Sequence, residues 1–582
     1  MSFALLRTLV PYLRRYRRQY VLGFLVLVVN VAVYTSIPYI LKLAIDGLSR
    51  GFARGQLAEF SLLLIAAVLL RGLLQYWQRS ILITTSRDIE YDLRNDLLWH
   101  LEKLSMSFFQ GNRTGDLMAR STNDLSAVRN MLGPGIMYSA NAVVLVVVVL
   151  AILLRLDWRL TLIAFIPAPA ISLSVQWFGK RIHDRFERIQ AMFSSLATRV
   201  EENLSGLRVV RAFAREPQEI EAFERLNADY VRRNLRLVKL SGSFDPVLQL
   251  LLGIAFVLVL WFGGRAVLEH QISLGSFVAF NAYMMQMSFP MIALGFVINL
   301  VQRGSASLER IQEIFRSQPG IADGPQTDPS LAAIRGEIEF RHLSFAYPGG
   351  PPVLTDVNLH VPAGWTVALV GHTGAGKSTL ASLLPRLYDA APGMVLVDGE
   401  PLERFPVEVL RRAIGLVPQE SFLFSDTLRA NIAFGAPDAG DERIERAADV
   451  ASLSIDVADF PDGYDTRVGE RGLTLSGGQK QRTALARAVL RDPKILILDD
   501  SLSSVDTLTE ERILERLQEV MRGRTTLLIS HRISTIRGAD LIVVLENGAI
   551  VERGTHAELI GQGGAYAELY EKQLLEEELE KV

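Results

Sequence analysis

Cysteine is missing from this chain, which excludes disulfides, thiolate metal sites and cysteine nucleophiles. Lysine is scarce: only 9 of the 61 basic residues are lysine, a bias compatible with a thermophile and equally with codon composition. An excess of one charge is lacking too. The formal net charge of −2 argues against a general nucleic-acid binder, whose domain is clearly basic. No small-residue cleavage site follows the first apolar run. With Arg7, Arg14, Arg15, Arg17 and Arg18 ahead of that run, a cleaved signal peptide is not expected.

At 582 residues the chain exceeds one compact core, so two or more domains are expected. The long apolar runs fall in the first 300 residues. Charge-free stretches cover 20–41, 131–154, 160–179, 246–264 and 271–302, and a sixth apolar stretch, 61–77, is interrupted by Arg71. Each charge-free stretch reaches the roughly 20 residues that a membrane-crossing helix needs. Six such runs exceed what a soluble helical core contains, so six spans are expected. Spans one–two, three–four and five–six are joined by about 19, 5 and 6 residues, and the other two connectors exceed 50 residues and are helical in pattern. If the part of the chain that follows the spans is cytoplasmic, six spans place both termini inside, in agreement with the arginines at the N-terminus. Residues 1–18 read as an amphipathic helix lying on the inner membrane surface. Polar residues in the spans (Asn30, Arg71, Asn141, Asn281, Gln286 and Asn299) are candidates for a substrate path, with interhelical hydrogen bonding as the alternative.

The remainder reads as soluble α/β. After a Pro/Gly/Asp-rich linker, 317–333, an apolar strand runs into "GHTGAGKST": Gly371, His372, Thr373, Gly374, Ala375, Gly376, Lys377, Ser378 and Thr379. Strand, glycine loop and helix start are the context of a phosphate-binding loop. Backbone N–H groups and the helix dipole meet the phosphates, Lys377 reaches the β- and γ-phosphates, and the Ser378 hydroxyl ligates Mg²⁺. Asp499 ends a second apolar strand and suits the same Mg²⁺. Ser476, Gly477, Gly478 and Gln479 open an arginine-rich helix and form a second anion-binding helix start. One nucleotide per chain does not need two such sites, whereas two chains facing head to tail would use both.

These motifs, with Leu475 ahead of Ser476, resemble the ATP-binding cassette (ABC) family over essentially the whole chain, in the layout of an exporter half-transporter. The resemblance implies a six-span all-α membrane domain with long cytosolic extensions (19–316), an α/β nucleotide-binding domain (334–564) and a C-terminal helix (565–582). It assigns Tyr347 to adenine stacking, Gln419 to Mg²⁺ and γ-phosphate sensing, and Leu475–Gln479 to the signature over a partner's ATP. Asp499 matches the magnesium aspartate, Ser503 to Asp506 the loop crossing the dimer interface, and His531 the switch on the γ-phosphate. Segments 112–125 and 202–218 resemble those carrying the coupling helices. ATP and Mg²⁺ are the implied cofactors. The bacterial inner membrane is the implied location, with both termini and the nucleotide domain cytoplasmic.

Two positions depart from the family. Arg467, in "TRVGERG", stands where an acidic residue is usual, and Asp500 stands where the catalytic base is glutamate. Aspartate is one methylene shorter, and misplacing a reacting group by about 1 Å can cost ~10²-fold in rate. With its signature intact, the chain is expected to pair with a homologous half-transporter that keeps the glutamate. A homodimer with aspartate as a slow base is the alternative. The expected cargo is a small hydrophobic or amphipathic compound, lipid or peptide, and membrane lipids are expected partners of the spans. An ATP-gated channel or regulatory membrane subunit is the competing class. The spans reject a soluble ABC ATPase acting on nucleic acid, and the domain order disfavours an importer. The C-terminal stretch, with Leu575, Leu579 and Val582 as a short apolar stripe, is expected to be a solvated helical tail, with pairing to a partner's helix as the alternative.

Overall fold

The computed structural model of the chain describes residues 3–51, 54–469, 472 and 474–580. Positions 1, 2, 470, 471, 581 and 582 of three segments read above lie outside them, as do the side chains of 3–6 and 576–580. The chain divides into two compact units, Met1–Asp96 with Ala119–Glu313, and Leu97–Met118 with Ile314–Val582.

The first unit is helical. Its N-terminal helix α1 (Phe3–Arg15) is followed by α2 (Arg17–Ser49), α3 (Arg54–Leu101), α4 (Ile136–Leu156), α5 (Ala168–Ser205), α6 (Glu216–Leu268) and α7 (Leu274–Arg316). Tyr12 donates to Asp96 at 2.6 Å, Tyr16 donates to Asp92 at 2.9 Å, and Arg15 pairs with Asp92 at 3.0 Å, which ties the α1 end to α3. Among the described residues, five helical stretches are long and apolar enough to cross a membrane: Arg17–Ser49, Arg54–Leu101, Thr114–Leu156, Trp158–Ser205 and Glu216–Leu268. The sixth run, 271–302, falls in α7, where the side chains of 289, 291, 292 and 294 are outside the described set.

Several helices differ from the pattern of the runs. The 160–179 run is broken: a helix over Trp158–Ala164 stops at Phe165 and α5 starts at Ala168, because Pro167 and Pro169 have no N–H to continue the ladder. Ahead of α4 the chain makes two π-helical turns, Arg120–Asp124 and Met131–Gly135. In the first long connector one short helix, Met106–Gly111, precedes the 112–125 segment, and a second, Thr114–Ala119, lies within it and runs on into the first π-turn. Asn112 ends the Met106–Gly111 helix in an extended conformation, its side-chain amide donating to Phe108 O at 2.8 Å. The second connector carries its short helix, Leu207–Ala212, inside 202–218 as expected.

The second unit is α/β. Strands β1 (Ile338–Ala346), β2 (Pro352–Val361), β3 (Thr366–Val370), β4 (Val395–Val397), β5 (Glu400–Pro401), β6 (Ile414–Val417), β7 (Ile495–Asp499), β8 (Thr525–Ile529), β9 (Leu541–Glu546) and β10 (Ala549–Gly554) form two sheets. Their orders are β2-β1-β4-β5 and β10-β9-β3-β8-β7-β6. In the larger sheet β9, β3, β8, β7 and β6 are parallel, and β7 and β8 are buried along their whole length, as continuous aliphatic runs in a parallel sheet require. The register sets Leu369 beside Ile529, Ile529 beside Asp499, and Val417 beside Leu498. Four strands therefore end along one edge, where α/β sheets bind ligands.

The C-terminal helix, Ala565–Glu580, is docked rather than solvated over its first turns, a correction to the expected tail. Glu552 accepts from Ala565 N (2.7 Å) and Tyr566 N (3.0 Å), and Tyr566 is 1% exposed.

Candidate functional site

The glycine loop leaves β3 at Gly371, whose φ is +143° and where a Cβ would lie 2.2 Å from Leu545 O on β9, so only glycine fits. The loop closes at Gly376 (φ +96°), the left-handed cap of helix α8 (Lys377–Leu383). Lys377 is 6% exposed and donates from Nζ to Gly371 O (2.7 Å) and His372 O (2.9 Å), so the lysine arches back over the loop. Burial pushes its ammonium pKa down, opposed by the charges of Asp499 and Asp500.

Ser378 Oγ donates to Asp499 Oδ1 at 3.0 Å. Burial pushes the Asp499 carboxyl up and the Asp500 charge adds to it, against the Ser378 hydrogen bond and the Lys377 and His531 charges. A buried carboxyl raised in this way is poised for a cation. Tyr347 is held by its hydroxyl, 3.0 Å from Thr379 Oγ1, and packs edge-on against Phe345 and Tyr388 with centroids 5.1 and 5.0 Å away. Gln419 and His531 are both exposed, two residues beyond the ends of β6 and β8. The larger sheet thus brings the loop, Gln419, Asp499, Asp500 and His531 to one edge, and the contact with Thr379 sets Tyr347 beside the loop.

The second helix start stands apart: among the described residues no hydrogen bond joins Ser476–Gln479 to Gly371–Thr379. Helix α9 (Gly477–Leu490) begins with a capping box, Ser476 Oγ accepting from Gln479 N and Gln479 Oε1 accepting from Ser476 N. Leu475 is buried. Gly477 and Gly478 pack on Ser504, where a Cβ would come within 3.2 and 2.9 Å of it. Asp506 caps helix α10 (Thr507–Met521), accepting from Thr509 N at 3.0 Å, and that hydrogen bond holds its carboxyl below the usual carboxylate range. Ser503 accepts from Gln481 at 2.9 Å, and Gln481 Oε1 accepts from Ser504 N at 2.9 Å. Gln481 therefore couples the signature helix to the loop after Asp500. Sequence reasoning missed it, although a glutamine sharing the stripe of Ala484, Leu485 and Ala488 at i, i+3, i+4, i+7 was a visible signal. Arg467 is exposed, and its side chain makes no ion pair among the described residues.

In the first unit the polar candidates only partly converge. Asn30 donates to Gln78 at 2.8 Å, Gln286 donates to Tyr34 O at 3.0 Å, and Arg71 stacks on the Tyr34 ring 3.5 Å from its centroid. The oxygens of Asn30 and Gln286 are buried without a partner. Asn281 donates to Phe277 O one turn earlier, Asn141 is half-buried, and Asn299 is exposed. Asn281 also borders an apolar cavity of about 300 Å³ lined by Leu252, Phe256, Val259, Met284 and Met285.

Comparison with known proteins agrees with this arrangement. The family model described as the ABC transporter transmembrane region matches residues 20–291, and the one described as ABC transporter matches 354–503. A probable multidrug resistance ABC transporter ATP-binding/permease protein of Bacillus subtilis, YheI, is 37% identical over 577 residues, covering 98% of each chain. The multidrug resistance-like ATP-binding protein MdlA of Escherichia coli is 36% identical over 573 residues, 98% of this chain and 96% of that one. An ATP-dependent lipid A-core flippase of Syntrophus aciditrophicus is 36% identical over 574 residues, 98% and 95% of the two chains. Among solved structures, a bacterial Atm1-family ABC exporter with ATP bound superposes with a TM-score of 0.78 at 29% identity, covering 96% of this chain and 98% of that one.

Proposed function

Because the chain belongs to the ABC transporter family, as an exporter half-transporter with one membrane domain and one nucleotide-binding domain, we propose that it is the slow-site subunit of an asymmetric exporter in the bacterial inner membrane. ATP binds at the β3 loop. The donor set fits Mg²⁺: Ser378 and Asp499 offer hard oxygens 3.0 Å apart, and Gln419 stands beyond the adjacent strand end. When bound, that ion offsets charge on the β- and γ-phosphates. Lys377 holds the phosphates, Tyr347 meets the adenine, His531 contacts the γ-phosphate, and Leu475–Gln479 cover the nucleotide of the partner.

The observation that carries the asymmetry is the backbone of Asp500. Its φ is +46°, its N–H donates to Ile529 O at 2.9 Å, and its carbonyl accepts from Ser503 N at 3.3 Å. With the main chain pinned on both sides, the roughly 1.5 Å lost with the missing methylene is not recovered, and the carboxylate sits back from where an attacking water is activated. Basicity does not distinguish the two acids, whose reference pKa values are about 3.9 and 4.3. The partner is a homologous half-transporter that keeps the glutamate.

The apolar, methionine-lined cavity of about 300 Å³ and the multidrug and lipid names of the relatives support hydrophobic or amphipathic cargo. Six spans with both termini cytoplasmic complete the reading. The test is single-turnover hydrolysis by the purified chain alone beside its Asp500→Glu variant. The variant is expected to be faster by about 10²-fold at unchanged ATP affinity; a brisk parent that gains nothing from glutamate would reject the asymmetric pair.

A further inference from the structure

The loop that follows β8 and carries His531 is held from two elements. From α10, Glu510 pairs with Arg532 and accepts from Thr535 Oγ1 at 2.7 Å, while Arg532 also donates to Val505 O at 3.2 Å. From the C-terminal helix α11 (Ala565–Glu580), Gln573 accepts the Ile533 N–H through Oε1 at 2.9 Å.

The second contact has a clear physical origin. Ile533 is the first residue of the short helix Ile533–Ile536, whose N-cap Arg532 makes no side-chain cap. The first N–H groups of a helix have no partner within it, and here the acceptor comes from a helix 40 residues further along the chain. α11 is a firm support for it. Both oxygens of Glu552 receive its first N–H groups, and the buried Tyr566 hydrogen-bonds His556 Nδ1 at 2.7 Å. Gln573 lies seven residues on, two turns along the same face.

Two cavities, of about 230 and 160 Å³, border this contact. Gly371, His372, Thr373, His531 and Gln573 line the first, and Ile533, Arg537 and Gln573 the second. Where such space abuts the loop, close packing does not fix it, and the hydrogen bond carries more of the constraint.

We propose that Gln573 is a positioning residue for ATP hydrolysis: by holding the Ile533 backbone it sets the place of His531, two residues earlier, beside the phosphate loop. The inference rests on the reading of His531 as the γ-phosphate switch, and the experiment separates the two. Single-turnover hydrolysis of radiolabelled ATP is followed with the full-length chain in lipid nanodiscs, where slow rates remain measurable. Gln573→Met, close in volume but unable to accept the N–H in the same way, is expected to slow hydrolysis by about tenfold with half-saturating ATP and thermal midpoint unchanged. Gln573→Glu keeps an acceptor and is expected to restore the rate. In a His531→Ala background, adding Gln573→Met is expected to have no further effect, because a residue acting through another loses its influence when that one is gone. A slowed His531→Ala with Gln573→Met at the parental rate overturns this inference alone. A parental rate for His531→Ala overturns both it and the switch reading, and additive slowing in the double variant overturns the coupling. If the methionine variant is not recovered folded, Gln573→Asn, which withdraws the acceptor by one methylene, serves in its place.

Discussion

At the scale of single residues, the nucleotide edge concentrates charge that folding alone would not select. Asp499 is 8% exposed and closes β7 beside a second aspartate. Burial and the Asp500 charge raise its pKa, so its ionised form weakens the nucleotide-free fold. A carboxyl raised in the folded state binds its proton more tightly there than in the unfolded chain. The penalty is therefore present above the folded pKa and disappears as pH falls through it. Asp499→Asn removes this charge and keeps the shape. It is expected to raise the thermal midpoint of the nucleotide-free chain at neutral pH, with the advantage shrinking toward the acid range where the parent protonates. The same variant is expected to abolish the Mg²⁺ dependence of nucleotide binding. Scanning calorimetry across pH, with and without Mg²⁺-ATP, reads both effects, and a variant less stable than its parent at neutral pH would contradict the assignment. The stability–function conflict was legible in outline, since an apolar strand ending in "DD" announces a buried acidic site. The φ of +46° that pins Asp500 was not, because a non-glycine left-handed residue carries no sequence mark.

At the scale of elements, hydrophobic runs located most helices, since apolar length is what a bilayer selects. Their ends were less legible. α3 runs 48 residues and α6 runs 53, continuing well past their apolar stretches as polar helices whose stability comes from neighbours that local composition does not name. The π-turns at Arg120–Asp124 and Met131–Gly135 were equally hidden, although the tertiary demand for the first is now visible. Asp124 is 4% exposed and accepts from Ser307 Oγ at 2.9 Å and Arg310 Nε at 2.9 Å, which joins the π-turn to α7. An extra residue in the turn changes which way that side chain faces. Asp124→Ala removes an acceptor that Ser307 and Arg310 share. Because Arg310 stays half-exposed and keeps access to water, the loss is expected to be about 2 kcal/mol rather than the full cost of a stranded buried charge. A denaturation midpoint equal to the parent's would show that the clamp carries no stability. Gln573 and Gln481 belong to the same lesson: each acts across elements, so only the assembled fold shows what it touches.

At the scale of the whole molecule, the motif order made the two-part organisation legible, but the orientation of the membrane part rests on charge alone. Five arginines precede α2 or begin it, and the positive-inside rule then puts the long connectors, the nucleotide unit and both termini on one side. The short connectors face the other side if the span count is six. The absence of cysteine turns this into a clean measurement, because any thiol introduced is the only one present. Gln271 is exposed in the short turn between α6 and α7, and Arg215 is exposed in the turn before α6, some 50 residues of helix away. Arg50, exposed just after α2, reports the first short connector. Gln271→Cys and Arg50→Cys are expected to react with a membrane-impermeant maleimide in intact spheroplasts, and Arg215→Cys only after lysis. An even number of crossings between the N-terminus and Arg215 is what this pattern requires, and the nucleotide edge then meets cytoplasmic ATP. Labelling of Arg215→Cys from outside would invert the assignment and place the nucleotide unit where ATP is scarce, which no ATP-driven exporter could use. Labelling of Gln271→Cys and Arg215→Cys on the same side would remove α6 as a span and with it the even count on which the placement of both termini depends.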